Sequence, residues 1–206
     1  MATRHQTDYR TLASLSRINL LHALHVNGAQ TVTELAAATG LHHNTAREHL
    51  HRLIDAGFVD SETIPTTTKG RPQLSYRAAR GAASPAHQAR VSASERRSDL
   101  IRRLLPLSDV SRESTPVSRQ LDALDDHMDQ CGFDAELSTD RSHMTMHDCP
   151  FADLAKANPQ VCEVHFELVK DALDIGDGPI HAQELHPFSE PRACRVDLES
   201  SEISGR

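Results

Sequence analysis

The chain has no tryptophan, and aromatic side chains make up 3% of its 206 residues. That scarcity argues against a reader of single-stranded nucleic acid, because such proteins stack successive bases on aromatic rings. No apolar run approaches the roughly 20 residues needed to cross a bilayer. No basic start followed by an apolar segment marks a secretory leader either, so a cytoplasmic location is expected. In that reducing compartment the four cysteines are not expected to form structural disulfides. None of them belongs to a Cys-x-x-Cys pair, which argues against a zinc finger, a zinc ribbon or a thioredoxin-type redox site. A Gly-rich phosphate loop, a nucleophile elbow and paired catalytic carboxylates are all missing. Cys162 and His165 alone do not make a nucleophilic centre, and no enzyme is expected.

What is present is divided unevenly. The net charge is -7, yet residues 1–80 carry 9 Lys+Arg against 6 Asp+Glu, while residues 81–206 carry 13 against 23. A mildly basic head on an acidic body suits a protein whose first part touches phosphate. In that head, Leu12, Leu15, Ile18, Leu21 and Leu24 recur at threes and fours, predicting a helix over Thr7–Val26 that Asn27-Gly28 stops. Thr31-Val32-Thr33-Glu34 has the capping-box form and opens a short helix through Thr39, with Gly40 as terminator. A third helix runs from about His43 to Ala56, burying Ala46, Leu50, Leu53 and Ile54, with Gly57 as its cap. Two short helices joined through a Gly-containing turn form a helix-turn-helix. Phe58–Glu62 and Leu74–Arg77, flanking Lys69-Gly70-Arg71-Pro72, predict a hairpin with a basic tip.

Residues 8–80 therefore read as a winged-helix domain that binds double-stranded DNA. The exposed face of its third helix carries His43, Asn44, Thr45, Arg47, Glu48 and His51. Arg47 has the fork that matches a guanine edge and Asn44 the amide that matches an adenine, while Thr45, Lys69 and Arg71 suit phosphates. The histidines at 42, 43, 49 and 51 are expected to be solvated or packed on the first helix. In Leu50-x-x-Leu53-x-x-Ala56-Gly57-Phe58-Val59 and Gly70-Arg71-Pro72 the segment resembles winged-helix regulators of the ArsR and DeoR type.

Residues 81–119 read as a connector. Within it Leu100, Ile101, Leu104 and Leu105 form a short apolar stripe beside Arg96, Arg97, Arg102 and Arg103. A stripe that short packs on its own domain or on a second copy, and a homodimer would double the small positive charge presented to DNA. Residues 120–200 read as a small α+β sensor domain with an antiparallel sheet and helices on one side. Its expected parts are a helix through Leu121, Leu124 and Met128 ended by Gly132, and strands at Phe133–Leu137 and Ser142–His147. Next comes a helix capped by Asn158 with Pro159 at its first position, and then strands at Ile180–Leu185 and Ala193–Leu198.

Cys149 falls where a strand meets a helix, Cys162 in the first turn of the next helix, and Cys194 on a strand able to pair beside the first. Cys149-Pro150-Phe151, the Val161-Cys162-Glu163-Val164-His165 segment and the late Cys194 resemble the SufR-type regulators, repressors of iron–sulfur assembly genes. That resemblance implies an iron–sulfur cluster (4Fe-4S or 2Fe-2S) on Cys149, Cys162 and Cys194. Such clusters commonly take four thiolates, and Cys131, at a helix end, suits a buried free thiol. His165, one turn from Cys162, and His147, two residues before Cys149, are the fourth-ligand candidates. The same residues also fit zinc, and a small-ligand-responsive regulator without a cluster remains a third reading.

Overall fold

The structure is a computed structural model, and it describes residues 9–65, 72–81, 83–104, 115–174 and 178–201. The chain separates into two units, Met1–Arg90 and Val91–Arg206. Among the described residues no helix is long and apolar enough to cross a membrane.

The first unit opens with a 3-10 turn at Tyr9–Leu12, followed by α1 (Leu15–Asn27), β1 (Gln30–Thr31), α2 (Val32–Thr39), α3 (His43–Asp55), β2 (Val59–Thr63) and β3 (Leu74–Ala78). The single helix expected from Thr7 onward is thus broken. Ser14 takes an extended backbone as N-cap, and its carbonyl accepts from the Arg17 and Ile18 amides. Arg17 Nε donates to the Thr11 carbonyl across the break. Leucine spacing continues through the interruption, so periodicity alone could not register it. At Thr31 the local chemistry decided the outcome. Its hydroxyl accepts from the Glu34 amide, and the Glu34 carboxylate accepts from the Thr31 N–H (2.8 Å). Gly40 closes α2 in the left-handed region at φ 68°. Leu20, Leu21, Leu24, Leu35, Leu50, Leu53 and Phe58 form the core between the three helices. Ile54, expected among them, is only half-buried. β1 pairs with β3 and β3 with β2, giving an antiparallel sheet ordered β1-β3-β2, the wing of a winged helix.

The division between the units falls within α4 (Pro85–Leu104), a 20-residue helix where the sequence suggested a connector with one short stripe. Arg90 Nη2 donates to the Ala79 carbonyl at 2.6 Å, and Nη1 donates to that of Gly57. Leu100, Ile101 and Leu104 stay 56%, 53% and 69% exposed; Leu105 lies outside the described residues. The second unit continues with α5 (Pro116–Cys131), β4 (Asp134–Leu137), β5 (His143–His147), α6 (Ala152–Ala157), α7 (Gln160–Leu173), β6 (Ile180–Glu190) and β7 (Ala193–Ser200). Its four strands form one antiparallel sheet ordered β4-β5-β7-β6. Met144, Met146, Cys194, Val196 and Leu198 are buried, while their strand neighbours Thr145, Arg195 and Asp197 are not. α5 packs on α7 and β4, and α7 on β6. The fold is α+β in both units, as the sequence predicts.

Three local details differ from the sequence reading. Asn158 does not cap α7: its side-chain Nδ2 donates to the Leu154 carbonyl (2.9 Å), closing α6, and Pro159 occupies the cap. β6 runs five residues past Leu185, with register shifts between Ala182 and Glu184 and between His186 and Glu190. Gln120, almost fully buried, joins three chain segments. Its Nε2 donates to the carbonyls of Leu173 (2.5 Å) and Ile180 (2.9 Å), and its Oε1 accepts from the Ile180 N–H (3.0 Å). A methyl group at Gly178 would collide with that Oε1, so this glycine is required by close approach.

Candidate DNA interface and cysteine-lined site

Helix α3 presents a polar face because its apolar residues are confined to the buried side. Ala46, Leu50 and Leu53 face the core, leaving Asn44, Thr45, Arg47, Glu48 and His51 exposed and His43 half-exposed. The His42 ring nitrogen Nδ1 accepts from the Asn44 amide (3.3 Å) and so starts the helix. Arg47 Nη2 lies 3.5 Å from His43 Nδ1, on the same surface one turn away. Glu48 pairs instead with Arg52 at 2.6 Å, an exposed i,i+4 ion pair that neutralises its charge on this face. His49 points inward, and burial, with the nearby Arg17 and Arg52 charges, lowers its pKa. Lys69 and Arg71, expected at the wing tip, lie outside the described residues; the strands leading to them are in place, with Ile64 N–H donating to the Gln73 carbonyl (2.8 Å).

The second site is built from the ends of β5 and β7, the first turn of α7 and the hairpin tip beyond β6. Met146 pairs directly with Cys194, which puts that cysteine on the buried face of the sheet. Strand alternation sends His147, next in β5 after Met146, to the opposite face. Cys149 follows in the turn into α6, and Cys162 stands at the start of α7; both are half-buried, and all four cysteines are free thiols. Cys149 and Cys162 both sense neighbouring thiols. Burial, and then the neighbouring Cys194 and Cys149, push Cys162 up to about 11. Burial also raises Cys149, the Phe151 N–H hydrogen bond opposes that rise, and Cys194 adds to it.

Cys149 and Cys194 line a cavity of about 360 Å³, with Ala152 and Phe188 as apolar wall and Lys156 and Arg192 as cationic rim beside Asp148 and Asp153. Backbone donors already point at sulfur there: the Phe188 N–H donates to Cys194 Sγ (3.3 Å), and the Phe151 N–H to Cys149. Four non-glycine residues among those described have positive φ, and three of them line this cavity: Asp148 (49°), Phe188 (54°) and Arg192 (69°). Each such conformation costs of order 1 kcal/mol, and its accumulation around one cavity is typical of a functional site. Of these three residues, none was readable from the sequence, because β6 was expected to end before Phe188 and the cavity is formed by distant segments.

The remaining thiol and histidine go together elsewhere. Cys131 is buried at the end of α5, and burial, with Cys149 nearby, raises its pKa. The His165 ring stacks on Phe133 (centroids 4.4 Å apart) and on His127 (5.6 Å), and burial lowers its pKa to about 4. His127, Cys131 and His165 each offer a ligand atom within 4.8 Å of the others, a grouping the sequence did not suggest because His127 carried no motif.

A family model described as a helix-turn-helix domain matches residues 12–62, about a quarter of the chain. No curated protein matches the sequence. The matched segment covers α1 to β2 and includes the whole polar face of α3. The N-terminal unit is a winged helix-turn-helix domain, and it marks the protein as a DNA-binding transcription regulator.

Proposed function

We propose that this regulator is a repressor whose grip on DNA follows an iron–sulfur cluster held by Cys149, Cys162 and Cys194. The observation that carries this reading is the cavity itself, where Cys149 and Cys194 meet beside backbone N–H donors and strained backbone, with Cys162 near enough for both thiols to raise its pKa. Hydrogen bonds to sulfur are among the protein's means of tuning such clusters; at the rim Arg192 is paired with Asp148 at 2.7 Å, and Lys156 is the second cation lining the cavity. The three sulfurs do not all lie within 4.8 Å of one another. A single tetrahedral zinc ion needs its sulfurs about 3.8 Å apart, whereas a cluster spreads its cysteines over several irons. When bound, the cluster supplies an oxygen- and redox-sensitive link between these segments. Cys149 anchors the turn after β5, Cys194 anchors β7, and Cys162 anchors the start of α7. Of the two fourth-ligand candidates from sequence, His165 groups with His127 and Cys131 and His147 lies on the opposite face of its strand from Met146, so this reading rests on the three thiolates.

On the DNA side, α3 enters the major groove with Arg47 and Asn44 reading bases and Thr45 on phosphate. His43 and His51 flank them, Glu48 is held back by Arg52, and Lys69 and Arg71 add affinity from the wing. The protein acts as a homodimer through the exposed Leu100, Ile101 and Leu104 stripe of α4, which gives an inverted-repeat operator. Ordering the cysteine-bearing unit then changes the affinity of the reader, and a tenfold change needs only about 1.4 kcal/mol. Anaerobic purification followed by iron, acid-labile sulfide and zinc assays tests the cofactor. Iron with sulfide in the wild type, retained in Cys131→Ser and lost on replacing Cys149, Cys162 or Cys194, supports it; stoichiometric zinc without sulfide overturns it. Duplex titrations of cluster-bound and cluster-free protein at matched salt test the coupling. Equal affinities remove the sensing mechanism, and tighter binding by the cluster-free form reverses its sign.

A further inference from the structure

Two residues that the cysteine-lined cavity does not use stand one helical turn apart on α5. His127 and Cys131 are both buried, and Cys131 Sγ lies 3.8 Å from His127 Nδ1 and 3.7 Å from Nε2. A third donor reaches them from α7, where His165 offers a ring nitrogen within 4.8 Å of both. Nε2 of His165 is shut off from solvent and has no hydrogen-bond partner among the described residues. Leaving a buried polar atom so is unfavourable, and atoms of this kind in native proteins call for a ligand or an ordered water. We infer that His127, Cys131 and His165 form a buried site for one borderline divalent cation of the zinc class, distinct from Cys149, Cys162 and Cys194.

The donor set selects the ion. One thiolate and two imidazoles suit zinc and its neighbours in the transition series, and they do not suit magnesium or calcium, which take oxygen. Tetrahedral zinc, with Zn–S of about 2.3 Å and Zn–N of about 2.0–2.1 Å, holds sulfur and nitrogen about 3.6 Å apart. The Cys131–His127 separation of 3.7 Å is already close to that value, and the His165 donor lies within 4.8 Å of both. Binding releases the Cys131 thiol proton to solvent as the sulfur becomes a thiolate ligand. The ion then joins α5 to α7, next to the turn that carries Cys149, since a methyl group on Gly132 would touch Pro150 Cγ at 3.9 Å.

The test uses full-length protein in which Cys149, Cys162 and Cys194 are replaced by alanine, so that only Cys131 can supply a thiolate and failure of the cluster reading cannot be mistaken for failure of this one. Cobalt(II) is titrated as a spectroscopic substitute for zinc. The expected result is one equivalent bound, with a thiolate-to-cobalt charge-transfer band and the visible intensity of a tetrahedral ion. Adding Cys131→Ala should abolish the band and weaken uptake by more than about 100-fold, beyond the 10–100-fold typical of losing a second-shell partner. His165→Gln should weaken uptake while keeping the band. Should the triple variant lack native circular dichroism, the comparison is made between cluster-free wild type and Cys131→Ala, where the band difference reads the same ligand. No cobalt uptake in the folded protein, or a thiolate band that survives Cys131→Ala, overturns the inference.

Discussion

Replacing Gln120 by leucine keeps most of the side-chain volume and removes the amide that joins α5 to the end of α7 and the start of β6. Three backbone groups lose a partner: the Ile180 N–H loses its acceptor, and the Leu173 and Ile180 carbonyls each lose a donor. The buried N–H costs about 1–3 kcal/mol, and each carbonyl, which keeps a second lone pair, about 0.5–1.5 kcal/mol. The added apolar burial returns about 1 kcal/mol, leaving a net loss of about 1–5 kcal/mol. That is a large share of the 5–15 kcal/mol that holds a typical domain together. With a urea dependence of about 1.5 kcal/mol per molar for a unit of this size, the midpoint should fall by about 0.7–3.3 M. The assay has a built-in control. The chain has no tryptophan, and both tyrosines, Tyr9 and Tyr76, belong to the first unit. Tyrosine fluorescence should therefore keep its midpoint while the circular-dichroism transition of the second unit moves. A second-unit midpoint within about 0.3 M of wild type would refute the argument. Gly178→Ala should show much of the same loss by displacing Gln120, and it should cost little once Gln120 is already replaced.

Other expectations follow from the same geometry. Arg47→Ala should cost about 1–3 kcal/mol on the specific operator and relax one base position, whereas Lys69→Ala should weaken all duplexes and flatten the salt dependence; equal losses for Arg47→Ala on specific and random duplex would contradict its role. Thr31→Ala should destabilise the first unit by about 1 kcal/mol through the lost cap, read as a lower midpoint by tyrosine fluorescence. His165, held neutral with a folded pKa of about 4 against an ordinary 6.5, makes the metal-free second unit less stable as pH falls. The unfolded chain takes up the proton below about 6.5 and the folded one only near 4, so stability is full above that window and is lost through it. Between pH 7 and 5 the loss should be about 2 kcal/mol, and denaturation of His165→Phe should not show it.

What the sequence disclosed was mostly local. Thr31 and Glu34 satisfy each other within one helical turn, so their pattern and their structure coincide. The polar face of α3 was legible because Ala46, Leu50 and Leu53 leave no alternative side for burial. The pairing of the strands bearing Met146 and Cys194 could be anticipated from alternation and topology. Ser14 and Asn158 mark where that reasoning stopped. Both are good caps by composition, but which helix an Asn or Ser serves depends on a backbone turn that the periodicity does not encode. The cavity around Cys149 was hidden for another reason: Phe188 and Arg192 reach it only because β6 outruns its expected end, and Lys156 comes to it from α6. Gln120 and His127 looked like ordinary residues of an amphipathic helix, and their partners are 38 to 60 residues away in sequence.

The two outer strands of the second sheet restrict how copies of this protein can meet. β4 is four residues long and carries exposed Asp134 and Glu136. β6 is longer, but it is interrupted by register shifts, contains Pro187, and exposes His181, Gln183, Glu184 and Pro187. Short length, charge, proline and irregular register are the features that keep a free sheet edge from templating another strand. Self-association by continuing this sheet into a neighbour is therefore discouraged at both margins, even if the cysteine-bearing unit loosens and its concentration along a promoter is high. A second copy meeting this unit would therefore have to use a surface other than these two strand margins, leaving the backbone of one chain out of the sheet of the next.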